Sequence, residues 1–247
     1  MGAYFLVPVA AALEFALRGP NGTHSLAAFR DIAAQPELVP MLTVSLRIAL
    51  GTLLITVALM VPTVVWVHLR LPRLRPLVEA LSLLPLVVPV VVLVVGVLTA
   101  FADAPNLIKG TPAILALEYV ALAMPFSYRA LDAGVSAVRL PTLVEAARSL
   151  GANWPTVLLR VVVPNIRTAI VGSALLTTAL VLGEFTMASL MLFDTFPTWM
   201  VRVGQQQAGV AVGLSVLVLL TSWALLLALS IAAGRPRGAT SLFRRSS

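Results

Sequence analysis

Two carboxylates, Glu118 and Glu184, lie inside long apolar runs of this 247-residue chain. A carboxylate in hydrocarbon is costly unless it is paired, protonated or hydrated, so such residues usually face a cavity or a partner. Both glutamates are therefore candidates for residues that line a path through the membrane or an interface with another subunit. The alternative is that each is neutral and hydrogen-bonded to a neighbouring helix through groups such as Thr177, Thr178 or Tyr119.

Two prolines in another apolar run, Pro85 and Pro89, are also candidates for the path. They lie four residues apart, so in a helix they fall on one face and free backbone carbonyls near each other. We expect a kink at this point. It either serves helix packing or forms a bend that lines the path, and the residues alone favour neither reading.

The sequence contains none of the common catalytic motifs. It has no GxxxxGK(S/T) phosphate loop, no HExxH and no GxSxG, and its two histidines are His24 and His68. It has no cysteine, which excludes disulfides, thiolate metal sites and cysteine nucleophiles. We therefore expect a chain that is not an enzyme, that holds no cofactor or metal of its own, and that takes energy from a partner or an ion gradient.

Composition predicts that the elements around these residues lie in a lipid bilayer. Hydrophobic residues make up 60% of the chain, charged residues 11%, and the mean hydropathy is +1.00. Such a chain is too apolar for a water-soluble domain. Its net charge of +7 does not indicate nucleic-acid binding, because the basic residues lie in short segments beside apolar runs and not in a stripe with interleaved aromatics.

Six apolar runs are candidate spans, which predicts an all-α, polytopic membrane protein with one transmembrane domain over residues 1–247. Each run is compared with the roughly 20 residues that cross a bilayer core. The first is short and contains Glu14, so we interpret it as truncated or tilted. The runs are Tyr4 to Leu17, Met41 to Val67, Leu77 to Phe101, Thr111 to Tyr128, Thr168 to Phe193 and Gly209 to Ala233.

The basic residues predict the orientation of these spans. Most of the 17 Lys and Arg residues fall after the second span, after the fourth span and in the C-terminal tail. In a six-span chain these three segments lie on the same side of the membrane. The positive-inside rule makes that side cytoplasmic, so both termini are expected in the cytoplasm.

The segment from Glu145 to Pro164, EAARSLGANWPTVLLRVVVP, lies between the fourth and fifth spans. Helical spacing predicts a short helix with an apolar face formed by Leu143, Val144, Ala147 and Leu150. Gly151 is expected to end this helix in a left-handed turn. Asn153 is expected to cap a second helix with Pro155 in its first turn, and Pro164 to mark a further helix start.

This segment resembles the EAA loop of ABC-importer permeases, the membrane subunits of binding-protein-dependent uptake systems. The matching residues are Glu145, Ala146, Ala147, Leu150, Gly151, Ala152 and the run from Val161 to Pro164. Gly183-Glu184-Phe185 also resembles a stretch in the fifth span of related permeases, and the nearest type is that of polyamine, iron, thiamine and phosphonate permeases. The resemblance implies a type I ABC-importer permease fold with a core of about residues 42–233 and a cytoplasmic coupling loop of about residues 136–165.

The resemblance also implies a location and a set of partners. The location is the bacterial plasma (inner) membrane. The coupling loop would dock onto a dimer of separate ATP-binding subunits, which hold ATP and Mg²⁺. A second permease subunit, identical or homologous, would complete the path, and an extracytoplasmic solute-binding protein would deliver a small polar or charged solute.

Two other functions remain open at this stage. An ion-coupled secondary carrier would use Glu118 and Glu184 as proton sites, and it would contain inverted repeats with matching broken helices, which are not visible in the sequence. A structural membrane subunit of a larger complex would leave the two glutamates unexplained.

Overall fold

The computed structural model describes residues 2–18, 24–105 and 110–233, and the regular elements in these ranges are helices. This agrees with the predicted all-α class. A 3₁₀ turn follows α3 at Pro72–Leu74, and a π-helical run follows α8 at Val157–Val162. The helices are α1 (Gly2–Leu17), α2 (Ala27–Ala34), α3 (Leu38–Arg70), α4 (Arg75–Val87), α5 (Val90–Ala100), α6 (Ala113–Ser136), α7 (Leu140–Ser149), α8 (Trp154–Thr156), α9 (Val163–Asn165), α10 (Arg167–Gly183), α11 (Thr186–Leu190), α12 (Phe196–Gln206) and α13 (Ala208–Ala233).

Within the described residues, three helical stretches are long and apolar enough to cross a membrane, namely Leu38–Arg70, Ala113–Ser136 and Arg167–Leu190. A fourth crossing results if the bent pair Pro72–Val87 and Val90–Ala100 forms one span. Shorter apolar helical stretches at Leu6–Leu17 and Ala208–Thr221 coincide with the predicted first and sixth runs. The described part of the chain therefore contains three or four stretches that could cross a membrane. Lys109 and the tail arginines that entered the orientation prediction, Arg235, Arg237, Arg244 and Arg245, lie outside the described residues.

The predicted third span, Leu77 to Phe101, is not one continuous helix. Its two halves, α4 and α5, meet at a bend of 100°. Pro85 stays inside α4, whereas Val88 is extended with ψ 129° and Pro89 precedes α5. The ring of a proline disfavours helical angles in the residue before it, so Pro89 breaks the helix at Val88. The expected shared kink of the two prolines is thus a sharp break at one of them.

The predicted fifth span, Thr168 to Phe193, is interrupted as well. The first part, α10, ends at Gly183, and Glu184 is extended with ψ 120° before α11 starts. At the end of α11, Leu192 has a left-handed φ of 61°. Both breaks release backbone amides from helical pairing, which a side chain or a turn must then satisfy.

The chain divides into two compact units, each of which has its own packing. In the unit Met1–Leu38 and Met200–Ser247, α13 packs against α1 and α2. In the unit Val39–Trp199, α6 packs against α10 and α4. A Cβ atom at Gly134 would overlap the Cβ atom of Ala169, so only glycine allows α6 and α10 to approach this closely.

Two buried apolar clusters hold the unit Val39–Trp199 together. The Tyr128 core joins the C-terminal halves of α3 and α6 to the segment after Ser136, and consists of Met60, Val61, Val64, Val65, Tyr128, Leu131, Val135, Leu140, Val144, Val157, Val162 and Ile166. The Tyr119 core joins α3, α5, α6, α10 and α11, and consists of Ile48, Ala49, Val94, Leu115, Ala116, Tyr119, Val181, Met187 and Ala188. The predicted coupling segment thus packs on the first cluster, and the break at Glu184 adjoins the second.

Candidate functional site

The predicted coupling segment forms a helical elbow, which we define as residues 140–165, with its turn at Gly151. Gly151 has a φ of +84°, the left-handed conformation that the sequence predicts. Its N–H donates to the carbonyl of Arg148 at 2.9 Å, and the N–H of Ala152 donates to the carbonyl of Ala147 at 3.1 Å. These two bonds define a Schellman motif, which satisfies the last carbonyls of α7 and fixes the exit direction of the chain.

The second arm of the elbow begins as the sequence predicts. The Oδ1 atom of Asn153 accepts from the N–H of Thr156 at 3.0 Å, and Pro155 occupies the first turn of α8. Pro164 lies in the first turn of α9, but α9 is only three residues long, and the next long helix begins at Arg167. The second arm is therefore a short mixed helix with a π-helical middle.

The first arm of the elbow has an inner and an outer face. Val144 is 6% exposed in the Tyr128 core, and Ala147 packs against the same core. Glu145 and Ala146 are exposed, and Leu150 is 89% exposed. Leu150 is the C-cap of α7 and still donates its N–H to the carbonyl of Ala146, so the apolar face is covered at Val144 and left open at its Leu150 end.

An aromatic and cationic contact pins the elbow to α3. The ring centres of Trp66 and Trp154 lie 6.0 Å apart at an interplanar angle of 55°. The Cζ atoms of Arg70 and Arg148 lie 5.8 and 5.6 Å from the centre of the Trp154 ring. Cation–π contacts of this kind stabilise a pair by about 0.5–1 kcal/mol at exposed sites. Residues on both sides of Gly151, namely Arg148 and Trp154, thus take part in the contact.

The carboxylate of Glu184 is fully engaged at the break between α10 and α11. It accepts from the hydroxyl of Tyr119 at 3.0 Å, from the N–H of Thr186 at 2.9 Å and from the N–H of Met187 at 3.1 Å. All three partners donate, and the two carboxyl oxygens of Glu184 accept. The sequence offers Tyr119 as a hydrogen-bond partner of Glu184. It gives no indication that the Glu184 side chain also accepts from the first backbone N–H groups of α11.

The carboxyl group of Glu118 has the opposite environment. Glu118 is 3% exposed, and neither of its side-chain oxygens has a hydrogen-bond partner among the described residues. Thr177, a partner that the sequence suggested, instead bonds the hydroxyl of Ser127 at 3.1 Å. A buried polar group without a partner is costly. Glu118 is therefore the carboxyl group in this site that gains most from a proton or an incoming partner.

A polar cluster that the sequence did not reveal joins α3, α4 and α6. The guanidinium of Arg75 donates to both carboxylate oxygens of Asp132, at 2.7 and 2.5 Å, and to Ser136 at 2.9 Å. His68 Nε2 lies 3.4 Å from the Asp132 carboxylate. Bidentate arginine–carboxylate pairs fix geometry as well as charge. The cluster ties α4 to α6 directly beside the elbow, and a pairing of residues 57 positions apart leaves no signal in one sequence.

The predicted path residues and the elbow lie beside different parts of α6. Glu118 lies beside the Tyr119 core, ten residues before Tyr128, which is about 15 Å along the helix axis. The α5 helix, which follows Pro89, packs against α11, which follows Glu184. The structure thus brings Pro89, Glu118 and Glu184 to one level and the elbow to another, whereas Pro85 stays within α4.

No protein-family model matches the sequence, and no curated protein matches it. The assignment of function rests on the residues and their geometry.

Proposed function

We propose that this chain is the transmembrane subunit of an ATP-driven ABC importer of the bacterial plasma membrane. It would form part of the path for a small polar or charged solute that an extracytoplasmic solute-binding protein delivers. The proposal includes six membrane crossings, with both termini and the elbow in the cytoplasm. A second permease subunit and a dimer of ATP-binding subunits would complete the transporter.

The observation that carries the proposal is the shape of the elbow. Its inner face is anchored by Val144 in the Tyr128 core, while Glu145, Ala146 and Leu150 point outward on a fixed turn. Leu150 is 89% exposed at the tip of this turn, beside the exposed Glu145 and Ala146, so the outer face carries apolar and small side chains on a fixed backbone. The small side chain of Ala146 and the exposed Leu150 form a surface onto which another protein can pack closely.

The contacts of the elbow also suggest how a force on it reaches the membrane helices. Val144 and Val157 pack in one cluster with Tyr128 and Leu131 of α6. A movement of the docked elbow therefore displaces the C-terminal end of α6. Glu118 and Tyr119 lie nearer the start of the same helix. ATP-driven closure of the partner subunits would pull the paired elbows together and switch the path between its inward-facing and outward-facing states.

The test is to purify the tagged chain from its native membranes with its bound partners and to reconstitute the complex in liposomes. Uptake of the solute should require ATP and Mg²⁺ and should continue when ionophores collapse the ion gradients. The co-purified proteins should include one with a GxxxxGK(S/T) phosphate loop. Uptake that stops with the ionophores and ignores ATP would refute the importer.

The ion-coupled carrier remains the second candidate, because Glu118 is buried without a partner among the described residues. A proton site requires a carboxyl group that can be freed of strong partners, and Glu118 meets this condition better than Glu184 does. The Glu118→Gln variant separates the two functions. In a carrier it should abolish gradient-driven uptake, whereas in the importer it should leave ATP-driven uptake in place.

A further inference from the structure

An apolar groove of about 380 Å³ runs between the end of α3 and the second arm of the elbow. It is lined by Pro62, Trp66, Leu69, Trp154, Leu158 and Val162, among others. Trp66 is 51% exposed beside it, so the groove opens on the outer surface of this chain. A slot with almost no polar atoms suits a hydrocarbon chain and offers nothing to a polar solute.

Two cations stand at one end of this groove. The Cζ atoms of Arg70 and Arg148 lie within 6 Å of the Trp154 ring centre, at 5.8 and 5.6 Å. Among the described residues neither guanidinium forms an ion pair with a carboxylate. Arg148 donates one hydrogen bond, to the carbonyl of Ala152 at 3.0 Å, and keeps further N–H groups for an anion.

The position of Arg70 along α3 sets the depth of the groove. Arg47 and Arg70 are 23 residues apart in this helix, which corresponds to about 35 Å of axial length. The hydrocarbon core of a bilayer is about 30 Å thick, so the two arginines fit its two headgroup regions. Trp66 and Trp154 then lie at the boundary where aromatic side chains collect, and the groove extends from the headgroups into the acyl region.

We propose that this groove binds an anionic phospholipid, with the phosphate at Arg70 and Arg148 and one acyl chain that runs past Trp66 toward Pro62. Basic pockets beside membrane helices on the positively charged side are suited to anionic headgroups. The apolar slot and the paired cations are complementary to the two parts of such a lipid, whereas a free phosphate would leave the slot empty. The bound lipid would brace the elbow against α3.

The first test uses the unmodified chain. The purified protein is reconstituted in two kinds of phosphatidylcholine nanodisc. One contains phosphatidylglycerol with brominated acyl chains, and the other contains the same amount of phosphatidylcholine with brominated acyl chains. The quenching of tryptophan fluorescence is measured in both. We expect stronger quenching by the brominated phosphatidylglycerol, because bromine bound in the groove lies beside Trp66 and Trp154. Equal quenching by the two lipids would overturn the proposal.

The second test removes the cations. In native mass spectrometry of the delipidated chain incubated with equal amounts of the two lipids, Arg70→Gln with Arg148→Gln should lower the ratio of bound phosphatidylglycerol to phosphatidylcholine by about tenfold. The matched control, Arg73→Gln with Arg139→Gln, removes two arginines of the same predicted side that form no ion pair and no contact with the Trp154 ring among the described residues, and should leave the ratio unchanged. An equal fall in both double variants would assign the preference to general surface charge and overturn the site. Retention of a partner protein on the groove with no lipid preference would also overturn it.

Discussion

Replacement of Gly151 tests the backbone conformation of the elbow without disturbing its side-chain packing. A Cβ atom at Gly151 meets no atom within 4 Å, so a side chain has room there. The backbone is the obstacle, because φ is +84° and only glycine adopts this region without cost. We therefore expect Gly151→Val to damage the turn, and Gly151→Asn, which adds a side chain that tolerates left-handed angles, to preserve it.

The size of the effect follows from two possible responses of Gly151→Val. If the turn keeps its shape, a left-handed non-glycine residue costs about 1–2 kcal/mol. If the backbone moves to negative φ, the bonds from residue 151 to Arg148 and from Ala152 to Ala147 are lost, at about 0.5–1.5 kcal/mol each. The strain of about 1–2 kcal/mol lowers the population of the observed elbow, relative to other turn conformations, by about 5- to 30-fold.

The assay compares both variants with the unmodified chain in membrane content, co-purification of the ATP-binding partner and ATP-driven uptake. Gly151→Val should reach the membrane normally, because the Tyr128 core stays intact, but should lose most partner binding and uptake. Gly151→Asn should retain most of both. If the two variants behave alike, whether both active or both inactive, the left-handed turn is not what positions the docking surface, and the reasoning fails.

Three further predictions concern topology, the Glu184 break and backbone strain. A cysteine at Ser149 should resist an impermeant thiol reagent in intact cells while one at Asp103 is labelled, and labelling of Ser149 from outside would overturn the cytoplasmic elbow. Glu184→Gln should lower the free energy of unfolding by about 1–3 kcal/mol, because an amide nitrogen cannot accept the bonds that one carboxylate oxygen now receives; unchanged thermal stability in detergent would contradict the bonding at this break. Leu192→Gly should raise the free energy of unfolding by about 0.5–1 kcal/mol. Relief of the left-handed leucine gains about 1–2 kcal/mol, which exceeds the entropic cost of glycine of about 0.5–1 kcal/mol. A lower melting temperature would show that the strain is absent.

Local chemistry explains which features the sequence could predict. Gly151 and Asn153 act through their own backbone and side chain within four residues, so the turn and the cap follow from residue type. Pro89 was recognised as a distortion, but the size of the bend depends on how α5 packs against α11, which is a tertiary matter. The pairing of Arg75 with Asp132 depends on the fold alone. Contacts between residues that are distant in the chain leave no periodic pattern or fixed spacing in a single sequence.

Leu150 shows why the inner and outer faces of the elbow required the structure. Its spacing from Ala147 fits a helical face, and its N–H still bonds to the carbonyl of Ala146, so Leu150 keeps the place that the helical period gives it. Each step of three residues turns an α-helix by about 300°, so Leu150 lies about 120° around the helix from the buried Val144. Spacing thus groups the apolar residues, whereas the tertiary fold decides which part of that face is covered.

The distribution of rigid and broken elements suggests how a force on the elbow would act on the proposed path. Gly134 and Ala169 hold α6 and α10 too close for either helix to slide without a clash, so these two helices are expected to move as one body. The backbone is already broken at Val88 and at Glu184, where few helical bonds oppose rotation. A push on the elbow would therefore tilt the α6–α10 pair as a whole and concentrate the backbone change at these two breaks. The break at Glu184 adjoins the Tyr119 core beside Glu118, so a small tilt changes the surroundings of a buried carboxyl group that has no hydrogen-bond partner among the described residues.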